Sequence, residues 1–437
     1  MEISKFQTKQ IFLFLAPIFL FVNYLLYKNY LSWGGDYALY LLQAKALSAD
    51  IIFDEISLNQ YLLGLSRDSS FSAIAYPMGF SALISISSFL HNWDISLLKL
   101  FNPISMFLII FLFIKANPKS KNVILFSSVF LFSPYILNEN LEILPDLPSL
   151  FLYSLSIYCL SKNKVVLSGI FLLLSIIFKI YFLVLGIFHV FYFFQKKEYK
   201  QIIKLLFVCI SLKFLADFIL GTDSIGNYGN TYDISKILAI NLERFQYVTN
   251  DMGYFITNFT HPINFFIGLI IFLFVAINYK NIYSLTFITY MSFLFLFEPV
   301  WSHTDYKRYL IPAFYLLINI LISFFKSKEF KWINSFGILY LCFLLFVNFL
   351  TISDLERQRG PMDESFYEVI EFVSNKEFND DIFAFHSPRP FRYFTGRNSF
   401  RKDYEVDFPH YVVCEKRSES CQSKNIVFEN NKYIIYK

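Results

Sequence analysis

The sequence contains no Walker loop, no HExxH, no GxSxG and no Rossmann glycine pattern. Nucleotide-driven transfer, zinc proteolysis, serine hydrolysis and dinucleotide chemistry therefore lack their signatures. Its five cysteines, Cys159, Cys209, Cys342, Cys414 and Cys421, form no CxxC pair, which argues against a zinc or thioredoxin-type site. Charge is scarce as well. Charged residues make up 16% of the chain, against about a quarter in soluble proteins. Internal repeats and low-complexity linkers are absent.

What fills the chain instead is apolar. Hydrophobic residues reach 56% and the mean hydropathy is +0.47. Apolar runs of about twenty residues recur along most of the length, so the chain reads as a polytopic helical membrane protein. The first run begins at Ile11 after two lysines and carries no small-residue cleavage site. It is expected to be a retained helix and not a signal peptide. The net charge of +4 is spread over short loops and reads as topology information, not as a nucleic-acid footprint. The 56 Phe and 30 Tyr lie mostly within the apolar runs, as packing and lipid-facing filler.

Basic clusters occur at Lys5/Lys9, Lys115/Lys119/Lys121, Lys162/Lys164, Lys196/Lys197/Lys200, Lys280 and Lys326/Lys328/Lys331. Placing all of them in the cytoplasm predicts helices near 11–31, 97–115, 121–137, 147–161, 165–178, 180–194, 201–220, 263–279, 281–298, 309–325 and 332–351. That is about eleven spans, with the N-terminus inside and the C-terminus outside. Residues 73–90 are apolar enough to cross, but crossing would reverse the lysines at 115–121. They are expected to lie on or dip into the outer face, broken at Pro77 and Gly79. The stretches poor in lysine then share one face, the outside: 34–72, 138–146, the tip near Lys179, 221–262, 299–308 and 352–437. Helices 165–178 and 180–194 are short for a span, which points to a thinned or broken pair. The tail 352–437 has another character, with one amphipathic helix in "DESFYEVIEFVSNKEF" and short strands in "DDIFAFHS", "YVVCE", "KNIVFE" and "KYIIYK". A small α/β domain outside the membrane is expected, where a Cys414–Cys421 disulfide is open.

Five outer-face stretches hold the candidate chemistry. Asp36 in "GGDYALY" follows two glycines that allow a sharp turn, and Tyr37, Tyr40 and Leu41 begin an amphipathic helix. On composition alone Asp36 is an N-cap; the alternative is a carboxylate placed for reaction. "NENLEILPDLPSL" brings Glu139, Glu142 and Asp146 to the mouth of a membrane helix, with Pro148 in its first turn. Lys179 falls between two short apolar helices, either snorkelling or presenting a point charge to an anionic headgroup. "EPVWSHTDYKRYLIPAF" crowds Glu298, His303, Asp305, Lys307 and Arg308 beside Trp301, Tyr306 and Tyr309. It reads as an aromatic anchor or as a phosphate cluster gripped by Arg308. "HSPRPFRYFTGR" forms a basic strip of His386, Arg389, Arg392 and Arg397. No cytoplasmic loop is long enough for a nucleotide-binding domain, so an outward-facing enzyme must draw its activated substrate from the membrane.

In order and spacing, "GGDYALYLLQAKAL", "AYPMGFSALI", "LPDLPSLFLYSL", the lysine in a broken helix pair, "YKRYLIPAFYLL" and "RYFTGR" resemble the integral-membrane glycosyltransferases of the C-type (GT-C) fold. The branch resembled is the bacterial one similar to protein O-mannosyltransferases and to the aminoarabinose transferases of lipid A. The resemblance covers nearly the whole chain. It implies transfer of a sugar from a polyprenyl-phosphate carrier to a glycan, lipid or protein acceptor at the outer face of the cytoplasmic membrane. It also implies catalytic roles for Asp36, the base of an inverting displacement, and Asp146. Substrate contacts are expected from Glu142, Tyr40, Lys179, His303, Lys307, Arg308 and Tyr309. Where the family often has an Asp-Glu pair, Tyr37 follows Asp36 here. A divalent cation, Mg or Mn, is left open because metal dependence varies among such enzymes. Two other classes compete: a transporter or flippase of lipid-linked sugars, and an O-antigen polymerase or ligase. Against the first, no inverted repeat is visible. Against the second, the 221–262 loop holds only Arg244.

Overall fold

The computed structural model describes residues 5–27, 36–49, 77–120, 122–220, 242–257, 263–296, 306–326, 363–374, 378, 381–386, 388–401, 410–416 and 425–437. Two compact units are formed, one from residues 1–26 with 99–353 and one from 27–98 with 354–437.

The first unit is a bundle of apolar helices. Among the described residues these include Lys5–Tyr27, Phe101–Ala116, Val123–Leu131, Asp146–Ser161, Val165–Phe178, Ile187–Lys196, Tyr199–Leu220, Ile263–Ile277, Ile282–Leu296 and Ile311–Phe324. Their inward faces form one core, with Ile109, Phe130, Tyr153, Phe182, Phe287 and Phe314 all buried. Their outward faces stay apolar: Phe207 and Phe218 on Tyr199–Leu220 are 70% and 85% exposed. Helices apolar all round belong in lipid, where only closed backbone hydrogen bonding is tolerated. Ile95–Ala116 alone among the described residues is both long and apolar enough to cross unaided.

Several expected spans are broken. The predicted helix 121–137 ends at Leu131, and Pro134 opens a separate turn, Pro134–Glu139. A proline lacks the N–H that would continue the ladder, and Ser133 beside it donates its hydroxyl to the Phe255 carbonyl. The pair at 165–194 is broken as expected. Val165–Phe178 rises only about 21 Å, Lys179 is extended, and a single turn, Phe182–Leu185, precedes Ile187–Lys196. Helices Leu242–Thr257 and Ile263–Ile277 meet backbone to backbone, because a Cβ on Gly253 or Gly268 would strike the Asn264 or Thr249 carbonyl. The expected span 332–351, with Cys342, lies outside the described residues.

The second unit joins residues 27–98 to the tail. Helix Asp36–Ala49 packs on Met78–Ile86 and on Pro388–Thr395. The expected amphipathic pattern does not hold. Tyr37, Ala38, Leu39, Tyr40 and Leu41 are consecutive and all buried, so the first half of this helix is enclosed on every side. Met78–Ile86 has nine residues, about 13.5 Å long, too short to cross a bilayer.

The tail sheet has the order β2-β1-β3-β5-β4. Its strands are β1 (Ile382–Phe385), β2 (Asn398–Arg401), β3 (Tyr411–Glu415), β4 (Ile426–Glu429) and β5 (Tyr433–Tyr436). β1 runs parallel to β2 and β3, and β5 runs antiparallel to β3 and β4. The predicted helix and four predicted strands are present, Asp363 capping helix Glu364–Val373 through the Ser365 N–H. Helix Pro388–Thr395 and β2 are additions. In the turn between them Arg397, from the expected basic strip, donates from Nε to the Val373 carbonyl and from Nη2 to the Ser374 carbonyl, closing the end of Glu364–Val373. Arg392 is buried, and the Arg389 side chain lies outside the described residues. Cys414 is disulfide-bonded; Cys421 lies outside the described residues. Cys159 and Cys209 are free thiols.

Candidate active site

The site is assembled in the first unit from three turns far apart in sequence, each expected on the outer face. Asp146 is the first residue of Asp146–Ser161, but it does not cap that helix; Pro145 is the N-cap residue and no side chain caps the turn. Its carboxylate, 1% exposed, is instead held by three partners. Arg308 donates from Nη2 to Oδ2 at 3.0 Å, the Lys179 ammonium stands 4.0 Å from the same oxygen, and the Tyr181 hydroxyl donates to Oδ1 at 2.6 Å. Lys179 reaches inward because its backbone leaves the helix in an extended conformation. It is 5% exposed, so it does not snorkel to water. Tyr181 stacks edge-on against Tyr309, whose carbonyl accepts the Tyr290 hydroxyl at 2.7 Å. Burial alone would raise the Asp146 pKa, yet Arg308, Lys179 and the Tyr181 hydroxyl together hold it below the ordinary carboxylate value.

Glu139 lies beside this cluster with the opposite outcome. Its carboxyl is buried and accepts one hydrogen bond, from the Tyr135 hydroxyl to Oε1 at 3.0 Å. Burial, against the pull of Arg308 and with the push of Asp146, lifts its pKa to about 8. At neutral pH the site therefore carries one carboxylate, Asp146, one carboxylic acid, Glu139, and the two cations Lys179 and Arg308. One positive charge is left over, which suits an anion presented from the membrane.

The loop between them is fixed from behind. Asn102 donates through Nδ2 to the carbonyls of both Glu139 and Glu142, at 2.8 and 2.7 Å. Its Oδ1, Glu139 Oε2 and both amide atoms of Asn140 are buried with no protein partner. Each such group carries a cost of about 1–3 kcal/mol.

Of the expected site residues, Asp146, Lys179, Arg308 and Tyr309 come together. Glu142 is on the same loop and attracts the buried Lys99. Asp36 and Tyr40 belong to the second unit. There Asp36 opens its helix, and the fully buried Tyr40 ring meets Phe80 edge-on while its carbonyl accepts Ser81 Oγ. His303 and the Lys307 side chain lie outside the described residues. Tyr181, Tyr135 and Asn102 are missed by sequence reasoning. An aromatic or an Asn inside an apolar run has no local signal beyond its neighbours, though Tyr181 lies two residues from Lys179. Among the described residues, no three His, Cys, Asp or Glu side chains gather as a metal-ligand set.

No protein-family model matches the chain, and no curated protein matches it in sequence. Solved structures do match in fold. ArnT from Cupriavidus metallidurans bound to undecaprenyl phosphate is 11% identical, with a TM-score of 0.57 over 98% of this chain and 97% of that one. The apo state of the same protein gives 10% identity and a TM-score of 0.61, with the same coverage. The fold is thus the GT-C arrangement with a small C-terminal sheet, as the motif order implies.

Proposed function

We propose that this chain transfers a sugar from a polyprenyl-phosphate carrier to a glycan, lipid or protein acceptor at the outer face of a bacterial cytoplasmic membrane. The observation that carries the reading is the buried Asp146–Arg308–Lys179 cluster with its residual positive charge. It is supported by the GT-C fold shared with a protein that binds undecaprenyl phosphate. The leaving group is a lipid phosphate, which needs charge neutralisation more than protonation. Arg308 and Lys179 supply it. Asp146 fixes the Arg308 fork and keeps the two cations from repelling each other. Asp36 takes the proton from the acceptor hydroxyl, and a single displacement inverts the anomeric carbon. Tyr40, Glu142, His303, Lys307 and Tyr309 contact donor or acceptor; where the reaction uses a divalent cation, Asp146 or Glu142 would hold it and it would supply further charge neutralisation. Residues 1–351 form the transferase domain in this reading and 352–437 the outer domain.

The test is release of label from a panel of radiolabelled polyprenyl-phosphate sugars by the purified protein and by Asp36→Asn and Arg308→Met. Release by the wild type and by neither variant supports the reading. Carrier binding without turnover of any sugar, unchanged in Asp36→Asn, refutes it in favour of a transporter.

A further inference from the structure

The loop 139–142 is tied to Asn102 by two hydrogen bonds yet leaves hydrogen-bonding capacity unused. Asn102 clamps the Glu139 and Glu142 carbonyls through a single amide nitrogen. Its own Oδ1 stays unmatched within that clamp. Glu139 is 7% exposed and Asn140 is 3% exposed, and neither Glu139 Oε2 nor either Asn140 amide atom has a protein partner. The Asn140 backbone is already used, its N–H going to the Ile136 carbonyl. Buried polar groups are paired in nearly all folded proteins, so four unmatched atoms on two loop side chains and on the Asn102 that clamps their loop point to a ligand.

The chemistry of that ligand follows from the groups. One carboxyl oxygen and a complete primary amide, with a further amide oxygen, offer acceptors and donors together and no fixed charge among the amides. A phosphate needs donors and cations, which lie instead at Arg308 and Lys179. A ring bearing hydroxyls presents both donor and acceptor at each oxygen. We infer that Glu139, Asn140 and Asn102 form a recognition site for hydroxyl groups of the transferred sugar, beside the phosphate cluster, and set which sugar is accepted. The inference rests on the proposed function and adds the sugar contact to it. Burial of Glu139 beside Tyr135, Glu142, Asp146 and Arg308 holds the acid in its protonated form, so its free oxygen is a donor, as an amide nitrogen would be.

The experiment measures Kd of the purified full chain for two probes: bare undecaprenyl phosphate, and undecaprenyl phosphate carrying glucose, N-acetylglucosamine or arabinose. Wild type is compared with Asn140→Ala, Glu139→Ala and Glu139→Gln. The expected result is a loss of about fivefold for at least one sugar-linked probe in Asn140→Ala and Glu139→Ala. Bare carrier binding stays within about twofold, and Glu139→Gln, which mimics the protonated acid, keeps the wild-type sugar affinity. Equal losses on both probes assign the three side chains to structure and overturn the inference. Unchanged affinity for every sugar also overturns it while leaving the phosphate reading intact. Absence of wild-type binding to bare carrier overturns the proposed function and this inference with it.

Discussion

Arg308 and Asp146 provide the sharpest test of the site. Their side chains are 14% and 1% exposed, and the contact is 3.0 Å. Removing one member of a buried pair leaves the other charged and desolvated, at a cost of about 3–5 kcal/mol. For Arg308→Met the lower end applies, because Lys179 at 4.0 Å and the Tyr181 hydroxyl still face Asp146. Asp146→Asn leaves two cations unbalanced and is expected to cost a similar amount. The double variant Asp146→Asn/Arg308→Met removes the carboxylate together with one of its two cations and leaves Lys179 alone without that carboxylate, so it should be more stable than the two single losses predict by about 1.5–3 kcal/mol. Equilibrium unfolding in mixed detergent micelles measures all four corners of this cycle. Additivity within about 0.5 kcal/mol would show that the two side chains do not share a buried contact, and the account of the anion site would fall with it.

Other consequences follow from single contacts. Glu139 has a raised pKa, so its contribution to stability is full below the unfolded carboxyl value and is lost as pH rises through about 8. Glu139→Gln, which does not titrate, should therefore melt close to wild type near pH 4 and increasingly above it from there to pH 9; a difference that does not grow with pH refutes the buried acid. Tyr181→Phe removes the 2.6 Å bond to Asp146 and should cost about 1.5–3 kcal/mol, the range for a hydrogen bond to a charged group, read in the same micelles. Gly268→Ala forces a methyl onto the Thr249 carbonyl and should cost about 1–3 kcal/mol or prevent accumulation of folded protein; wild-type yield and melting would contradict the close approach. Arg397→Met uncaps Glu364–Val373 and should speed proteolysis of the tail with the membrane helices left intact.

Local patterns were enough for the fold class. Apolar runs are a property of consecutive residues, and so are the alternation of the tail strands and the acid at the start of Glu364–Val373. The broken pair around Lys179 is legible for the same reason, since two short runs flank one charge. Helix Asp36–Ala49 shows where this fails. Its polar residues, Gln43 and Lys45, suggest an exposed face, but Gln43 accepts the Ser81 hydroxyl and Lys45 lies over the Tyr393 ring at 4.2 Å. Partners from residues 81 and 393 enclose it, and the helix's own sequence does not contain them.

The site divides in the same way. Asp146, Lys179 and Arg308 each stand out in the sequence as a charge at the end of an apolar run, because hydrocarbon makes such residues rare. Their roles do not. An Asp before a helix reads as a cap until a guanidinium 162 residues away takes its carboxylate. A Glu three residues from another acid reads as ionised until burial protonates it. The sequence determined which groups the chain has to place outside the hydrocarbon. The tertiary structure decided which of them share a desolvated space, where Coulomb interactions are strong and each group's charge depends on its neighbours.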